Sequence, residues 1–344
     1  MAEFELIRRL ARRYGHANRS VLLGIGDDAA AVHLDRQHVQ LLTTDLLAEG
    51  IHFDRATASF EDIGFKGAVA NLSDIAAMGG RPLYVLVAVA IPPRLPSSAV
   101  DHLYRGIMRA CRPYGVTLIG GDTSAARGDF FLSIAMTGIV TRSQLLTRGG
   151  ARVGDDVYVT GTLGDAFAGL TLLAQQSGRP AGRLRRMATA DRRFLIARHL
   201  RPTPRLEIGR CLARRHLAAA AIDLSDGLSG DLVHICERSR VGVEVDRDAL
   251  PLSSALRAYA TLRQMDPTVL ALQGGEDYEL LFTAPRRVRS RLERAAGRFD
   301  CAVTRIGTIR AQLFGRRIRE RDQSLTVFPL TSYEHFAQTP KAPR

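Results

Sequence analysis

The run "VQLLTTD" (39–45) has strand length, is rich in branched side chains and closes on a carboxylate. It belongs to an alternation of strands and helices that fills the chain, and this alternation limits the fold to a layered α/β class. "EDIGFKGAVANLSDIAAMGG" (61–80) reads as a helix, with Ala68, Leu72, Ile75 and Ala76 on one stripe. Gly79–Gly80 stops it before Pro82. "LYVLVAVAIP" (83–92) reads as a buried strand and "SSAVDHLYRGIMRACRPYG" (97–115) as an amphipathic helix. "VTLIGGDTS" (116–124) reads as a strand opening into a glycine turn, and "FFLSIAMTGIVT" (130–141) as a further strand.

A turn-rich stretch, "LLTRGGARVGDD" (145–156), marks a boundary. Since 344 residues suit two domains, the expected division is 1–144, 145–338 and a tail at 339–344. Beyond the boundary, "VYVTGTLGDAFAGLTLL" (157–173) reads as strand, turn and helix, and 177–190 as an exposed loop. "AAAIDLSDGLSGDLVHICERS" (219–239), the strand "VGVEVD" (241–246) and "ALQGGEDYELLFTA" (271–284) continue the α/β pattern. A weak echo links "LSD" at 72–74 and 224–226, and "GGDT" at 120–123 with "GGED" at 274–277. It reads either as a duplication or as a shared need for acids at turns.

Composition removes several function classes. The formal net charge is +13, almost all from arginine, because Lys66 and Lys341 are the only lysines. Such a balance attracts nucleic acid or small anions. The basic residues are dispersed, however, and "APRRVRSRLERAAGRF" (284–299) reads as a solvated helix face without stacking aromatics. No apolar run reaches the ~18 residues of a bilayer span. Cys111, Cys211, Cys236 and Cys301 form no CxxC pair, so neither a disulfide framework nor a zinc site is expected, and a reducing cytoplasm is. The N-terminus repeats Phe4, Ile7 and Leu10–Ala11 on one helical face and lacks a cleavage site, so it is expected to pack on the body.

The chemistry is carried by acids. Asp27, Asp28, Asp45, Asp74, Asp122, Asp223, Asp226, Glu276 and Asp277 stand mostly beside Gly, Ser or Thr, at strand ends or helix edges. Ligands collect at strand ends in α/β folds. Any one of these acids is equally a turn or cap residue. Together, if several share a cleft, they need cations: two carboxylates ~4 Å apart at an effective dielectric of ~20 repel by roughly 4 kcal/mol. Oxygen-only ligands select hard divalent ions, Mg²⁺ above all near phosphate, and Thr43 and Thr44 add further oxygens. "GIGDDAA" (24–30) resembles a dinucleotide loop, but Asp27 and Asp28 would repel a phosphate. A damaged nucleotide loop, a plain turn and phosphate binding through a cation all remain open for it. Walker A, HRD/DFG, GxSxG and HExxH patterns are absent, so phosphate would have to be held by metals, backbone N–H groups and arginines.

"GIGDDAA", "TTDLLAEGIHF", "NLSDIAAMGG", "LIGGDTS", "LTRGGARVGD", "VYVTGTLGDAFAGL", "RHLRPTPR", "AIDLSDGLSGDL" and "GGEDYEL" stand in this order over most of the chain. In this the sequence closely resembles the thiamine-monophosphate kinases, members of a superfamily with aminoimidazole ribonucleotide synthase. The resemblance implies an N-terminal α/β (α+β) domain that dimerises through its sheet and a C-terminal α/β domain that completes a cleft. It implies several Mg²⁺ ions, ATP as co-substrate, thiamine monophosphate as acceptor, a homodimer, and neither nucleic acid nor membrane as partner. Asp28, Thr43, Thr44, Asp45, Asp74, Asp122, Asp223 and Asp226 match its metal positions. Tyr104, Gly121, Asp122, Arg148 and Ser225 match nucleotide positions, and His52 and Glu276 substrate positions. The family often carries a substrate-stacking aromatic near its C-terminus; here the register places Leu330, with Phe328 and Tyr333 nearby. A purine-pathway type of synthase from the same superfamily, or a nucleotide-binding protein without catalysis, is the alternative.

Overall fold

A computed structural model of the chain describes residues 3–15, 18–176 and 182–329. Helix α1 (Glu3–Tyr14) leads into β1 (Val21–Leu23), β2 (Ala30–His33), β3 (His38–Ala48), α2 (Phe60–Ala77), β4 (Arg81–Ile91), α3 (Ser97–Cys111), β5 (Thr117–Ala125) and β6 (Phe131–Thr141). The strands form one sheet in the order β1-β2-β3-β6-β4-β5, antiparallel except between β4 and β5. The chain continues through β7 (Asp156–Thr160), α4 (Asp165–Gln176), α5 (Thr189–Leu200), α6 (Leu206–Arg214), β8 (Ala220–Asp223), α7 (Leu228–Ser239) and β9 (Gly242–Asp246). It ends with α8 (Ser254–Arg263), α9 (Pro267–Gln273), β10 (Leu280–Ala284), α10 (Arg289–Ala296), β11 (Val303–Arg310), β12 (Arg316–Arg319) and β13 (Leu325–Val327). These strands make a second sheet, β13-β12-β9-β11-β7-β10-β8. Among the described residues no helix is long and apolar enough to cross a membrane.

Helix α2 positions the site. Ser59 caps it, its Oγ accepting from the Asp62 N–H at 3.1 Å and donating to Asp62 Oδ2 at 2.6 Å. Unlike a surface helix, α2 is buried on several sides. Leu72 and Ile75 share one core with Leu41 of the first sheet and with Leu206, Leu212 and Phe282 of the second part. A Cβ at Gly209 would lie 2.1 Å from the Ala76 carbonyl oxygen, so only glycine lets α6 approach α2 this closely. The helix therefore joins both parts of the molecule.

Several expectations change here. Strand β4 is buried on one face only: Val85, Val87 and Val89 face the core, whereas Tyr84 and Leu86 lie on an outer face that no layer among the described residues covers. The glycines of "VTLIGGDTS" do not turn the chain; β5 runs through them and pairs with β4, and a Cβ at Gly121 would sit 1.8 Å from the Val87 carbonyl oxygen. The segment 182–187 is no exposed loop throughout, since Leu184 and Met187 pack with Leu195 and Tyr259. Ile7 and Leu10 of α1 remain more than a third exposed. The "LSD" echo marks different places, the last turns of α2 at 72–74 and the β8–α7 loop at 224–226.

Candidate active site

Strand alternation builds the site. The core-facing positions of β3 are Val39 and Leu41, then Thr43 and Asp45, then Leu47. Two polar side chains thus interrupt an apolar face, and the C-terminal turns of α2 meet them with Ser73 and Asp74. Thr43 Oγ1 donates to Asp74 Oδ2. Ser73 Oγ donates to Asp223 Oδ2 at 2.7 Å, tying α2 to the end of β8. The β1–β2 loop brings in Asp28. Carboxylate oxygens of Asp28, Asp74 and Asp223 lie within 4.8 Å of one another. Asp45 stands close enough for its charge to act on both Asp74 and Asp223.

This arrangement is electrostatically costly. Burial pushes the Asp45 carboxyl up to about 6. Burial, aided by the Asp28 charge, pushes Asp223 up to about 8. Asp74 is held well above the usual range by burial and then by Asp45, Asp223 and Asp28. Asp28 is raised by burial against the opposing pull of Arg148. Asp28 Oδ2 and Asp45 Oδ2 are buried and accept no hydrogen bond. Clustered carboxylates with unused oxygens, and no nitrogen or sulfur donor among them, suit a hard divalent cation such as Mg²⁺.

The other expected residues fall into several groups. Arg148, in the β6–β7 connection, donates from Nε and Nη2 to Asp28 Oδ1 at 3.0 and 2.5 Å. Its backbone N–H points at both oxygens of Asp27, 3.3 Å from each. Asp27 is therefore an anchor for that connection, and burial, then the Asp28 charge, raise it to about 7. Ser225 and Asp226 follow β8, and the Ser225 carbonyl accepts from the Glu276 N–H at 2.8 Å. This loop joins the cluster to Glu276, which His52 is close enough to influence electrostatically.

Gly121 and Asp122 are not brought to the acids within one chain, and Thr44, although next to Asp45, has its side chain on the other face of the strand. In the sheet register Asp45 pairs with Ile134, Ile134 with Val87 and Val87 with Gly121, three strand spacings or about 14 Å. Thr44 and Asp122 are exposed and lie on the outer face. Tyr104 sits on α3, half-buried against the core. Leu330 and Tyr333 lie outside the described residues. Phe328, offered as a stacking neighbour, is fully buried in the core of the second part, so its ring presents no face to a substrate.

Three residues escape the sequence reading. Asp231 of α7 is buried, and its Oδ2 accepts from the Asp226 N–H at 3.2 Å. It lies five positions beyond Asp226 in "SDGLSGD", which is the signal that could have found it. Lys66 of α2 is 4% exposed and pairs with Glu276 Oε1. A single lysine in an apolar helical stripe was the available clue. His199 of α5 places Nδ1 3.3 Å from Glu276 Oε2. Burial opposes charge on Glu276, yet Lys66 foremost, then His199 and His52, hold its carboxyl below the usual range.

The description "AIR synthase related protein, N-terminal domain" matches residues 26–140, and the corresponding C-terminal domain matches 152–316. Thiamine-monophosphate kinase of Haemophilus influenzae is 38% identical, over 98% of this chain and 99% of that protein. The Bacillus subtilis enzyme of the same name is 34% identical over 98% of this chain and 100% of its own length. The solved structure of AaThiL complexed with AMPPCP and TMP has a TM-score of 0.82 and 35% identity, covering 97% of each chain. Thiamine-monophosphate kinase from Stenotrophomonas maltophilia gives a TM-score of 0.74 and 39% identity over 95% of this chain and 98% of that one. The chain belongs to the thiamine-monophosphate kinase family, within the fold of the AIR synthase related proteins.

Proposed function

We propose that the protein transfers the γ-phosphate of ATP to thiamine monophosphate, giving thiamine diphosphate and ADP, with Mg²⁺ bound by the acid cluster. The observation that carries the metal assignment is the set of buried carboxylates with two oxygens lacking any hydrogen bond. Asp28, Asp45, Asp74 and Asp223 would hold the ions, with Thr43 beside them and Asp226 as a further candidate ligand. Bound there, Mg²⁺ supplies charge neutralisation between the two phosphate groups and aligns them for in-line transfer.

The protein's own residues then have simple tasks. The acceptor is a phosphate monoester whose second pKa is ~6, so at neutral pH it is largely a dianion and needs no general base. This agrees with a site made of acids and arginine without a base–nucleophile pair. Arg148, held by Asp28 and Asp27, would meet the nucleotide phosphates, and Ser225 lies in the turn before α7. Glu276 and His52 receive the organic end of the acceptor. His52 Nδ1 accepts from the Ala48 N–H at 3.0 Å, which leaves Nε2 to carry the ring proton.

The outer face of the first sheet supports a homodimer. Leu42, Leu46, Tyr84, Leu86, Ile119 and Phe131 are each more than a third exposed there. A contiguous apolar sheet face of this kind marks an interface. Thr44 and Asp122 share that face, so a second copy is the route by which Asp122 would join a metal site. Four free cysteines fit a reducing cytoplasm.

Incubation with ATP, thiamine monophosphate and Mg²⁺, followed by chromatography, tests the reading. Thiamine diphosphate that disappears with EDTA supports it. Nucleotide binding without product favours the non-catalytic alternative, and ATP consumption only with a purine-pathway substrate favours the synthase.

A further inference from the structure

Glu276 is held more firmly than a cleft carboxylate needs to be. Its backbone is left-handed, with φ +67, a conformation that non-glycine residues rarely adopt. Its N–H is fixed to the Ser225 carbonyl at 2.8 Å, and the Tyr278 N–H to the Leu224 carbonyl at 2.9 Å. Lys66 takes Oε1, and His199 Nδ1 stands 3.3 Å from Oε2. The Glu276 side chain is nevertheless 26% exposed, so it is not sealed into the core. Burial, with Lys66 next, lowers His199 to about 4.

Lys66 and Asp74 belong to the same helix. They stand eight positions apart, a rise of about 12 Å. Helix α2 therefore carries an acid of the cluster at one end of this interval and the holder of Glu276 at the other. We propose that Lys66 is a positioning residue for the acceptor: it fixes Glu276 at a set distance from the acid cluster, so that Glu276 accepts from an N–H donor on the heterocyclic end of thiamine monophosphate while the phosphate lies at the acids. This rests on the acceptor assigned above. A buried lysine–glutamate latch with a purely structural role would behave otherwise, since replacing such a lysine by a hydrophobic residue of similar length leaves ligand affinity alone and moves stability instead.

The test is calorimetric binding of thiamine monophosphate in the presence of Mg²⁺ and AMPPCP, for the wild type, Lys66→Met, Glu276→Gln and the double variant, with melting temperatures for each. Lys66→Met is expected to weaken acceptor binding about tenfold or more, with AMPPCP affinity within about twofold of wild type. In the Glu276→Gln background Lys66→Met is expected to add almost nothing. Unchanged acceptor affinity in Lys66→Met overturns the proposal, as does a full Lys66→Met effect that persists in the Glu276→Gln background. Should Lys66→Met fail to fold, Lys66→Arg keeps the charge but alters its reach. Weakened acceptor binding by that variant supports the proposal, and wild-type affinity overturns it. A wild type that binds no thiamine monophosphate overturns the acceptor assignment together with this proposal; wild-type binding with an unaffected Lys66→Met overturns this proposal alone.

Discussion

Arg148 sets two nitrogens on a single oxygen of Asp28 and leaves the other, Oδ2, buried without a hydrogen bond. The guanidinium fork thereby orients a carboxylate that lies beside those of Asp74 and Asp223. Lysine cannot reproduce a two-nitrogen grip. Arg148→Lys and Arg148→Ala should both lose about 100-fold or more in kcat, while thermal melting still shows a folded protein. Steady-state kinetics checks this; activity of Arg148→Lys near that of wild type would show that charge alone suffices.

The acid cluster makes metal-free stability depend on pH in a definite direction. Asp45 and Asp223 ordinarily titrate near 3.8, but in the folded protein they are raised to about 6 and about 8. The folded state therefore binds more protons than the unfolded state across that interval, and their contribution to stability falls as pH rises from about 4 to about 8. A bound cation removes the cause. The rise in melting temperature on replacing EDTA by Mg²⁺ should be small at pH 5 and grow steadily to pH 8. Differential scanning fluorimetry across this range decides it; a Mg²⁺ effect that is constant or shrinks with pH contradicts the assignment.

Asp122 and Asp45 lie three strands apart on opposite faces of one sheet, so the two are expected to serve one site only across a dimer. Asp45→Asn and Asp122→Asn alone should each lose most turnover and keep the fold. Mixed and allowed to exchange subunits, they should recover activity, because each heterodimer regains one site with both acids intact. Random pairing gives roughly a quarter of the wild-type rate. No recovery despite verified subunit exchange would place both residues in one chain's site.

Phe328 separates packing from substrate contact. Its ring is fully buried, so Phe328→Ala should cost about 3–5 kcal/mol in stability, measured by denaturant unfolding. Below the melting transition, the KM for thiamine monophosphate should be unchanged. A KM raised severalfold in a well-folded variant would return the ring to the substrate.

Much of this was legible in the sequence because it is local. Helix α2 announces itself by its stripe and glycine stop, β3 by its branched run, and the acids by their turn residues. The resemblance supplied roles that spacing alone left open. What stayed hidden depends on which layers meet. Nothing in "LYVLVAVAIP" says that one of its faces lacks a covering layer, because alternation among Val, Ala, Leu and Tyr is apolar on both sides. Lys66 looks like an isolated cation until α2 and the loop at Glu276 come together from positions 210 residues apart. Asp27 and Asp28 are adjacent and chemically identical, yet only the fold assigns one to the Arg148 backbone and the other to its guanidinium.

The central claim is that Asp28, Asp45, Asp74 and Asp223 hold the cations that serve phosphoryl transfer. Crystals grown with AMPPCP and Mn²⁺ in place of Mg²⁺ test it directly, through anomalous scattering from the metal. The account predicts manganese peaks within bonding distance of carboxylate oxygens of these acids, including Asp28 Oδ2 and Asp45 Oδ2. Full turnover with Mn²⁺ in solution, together with crystals whose manganese peaks lie away from all four residues, would contradict it.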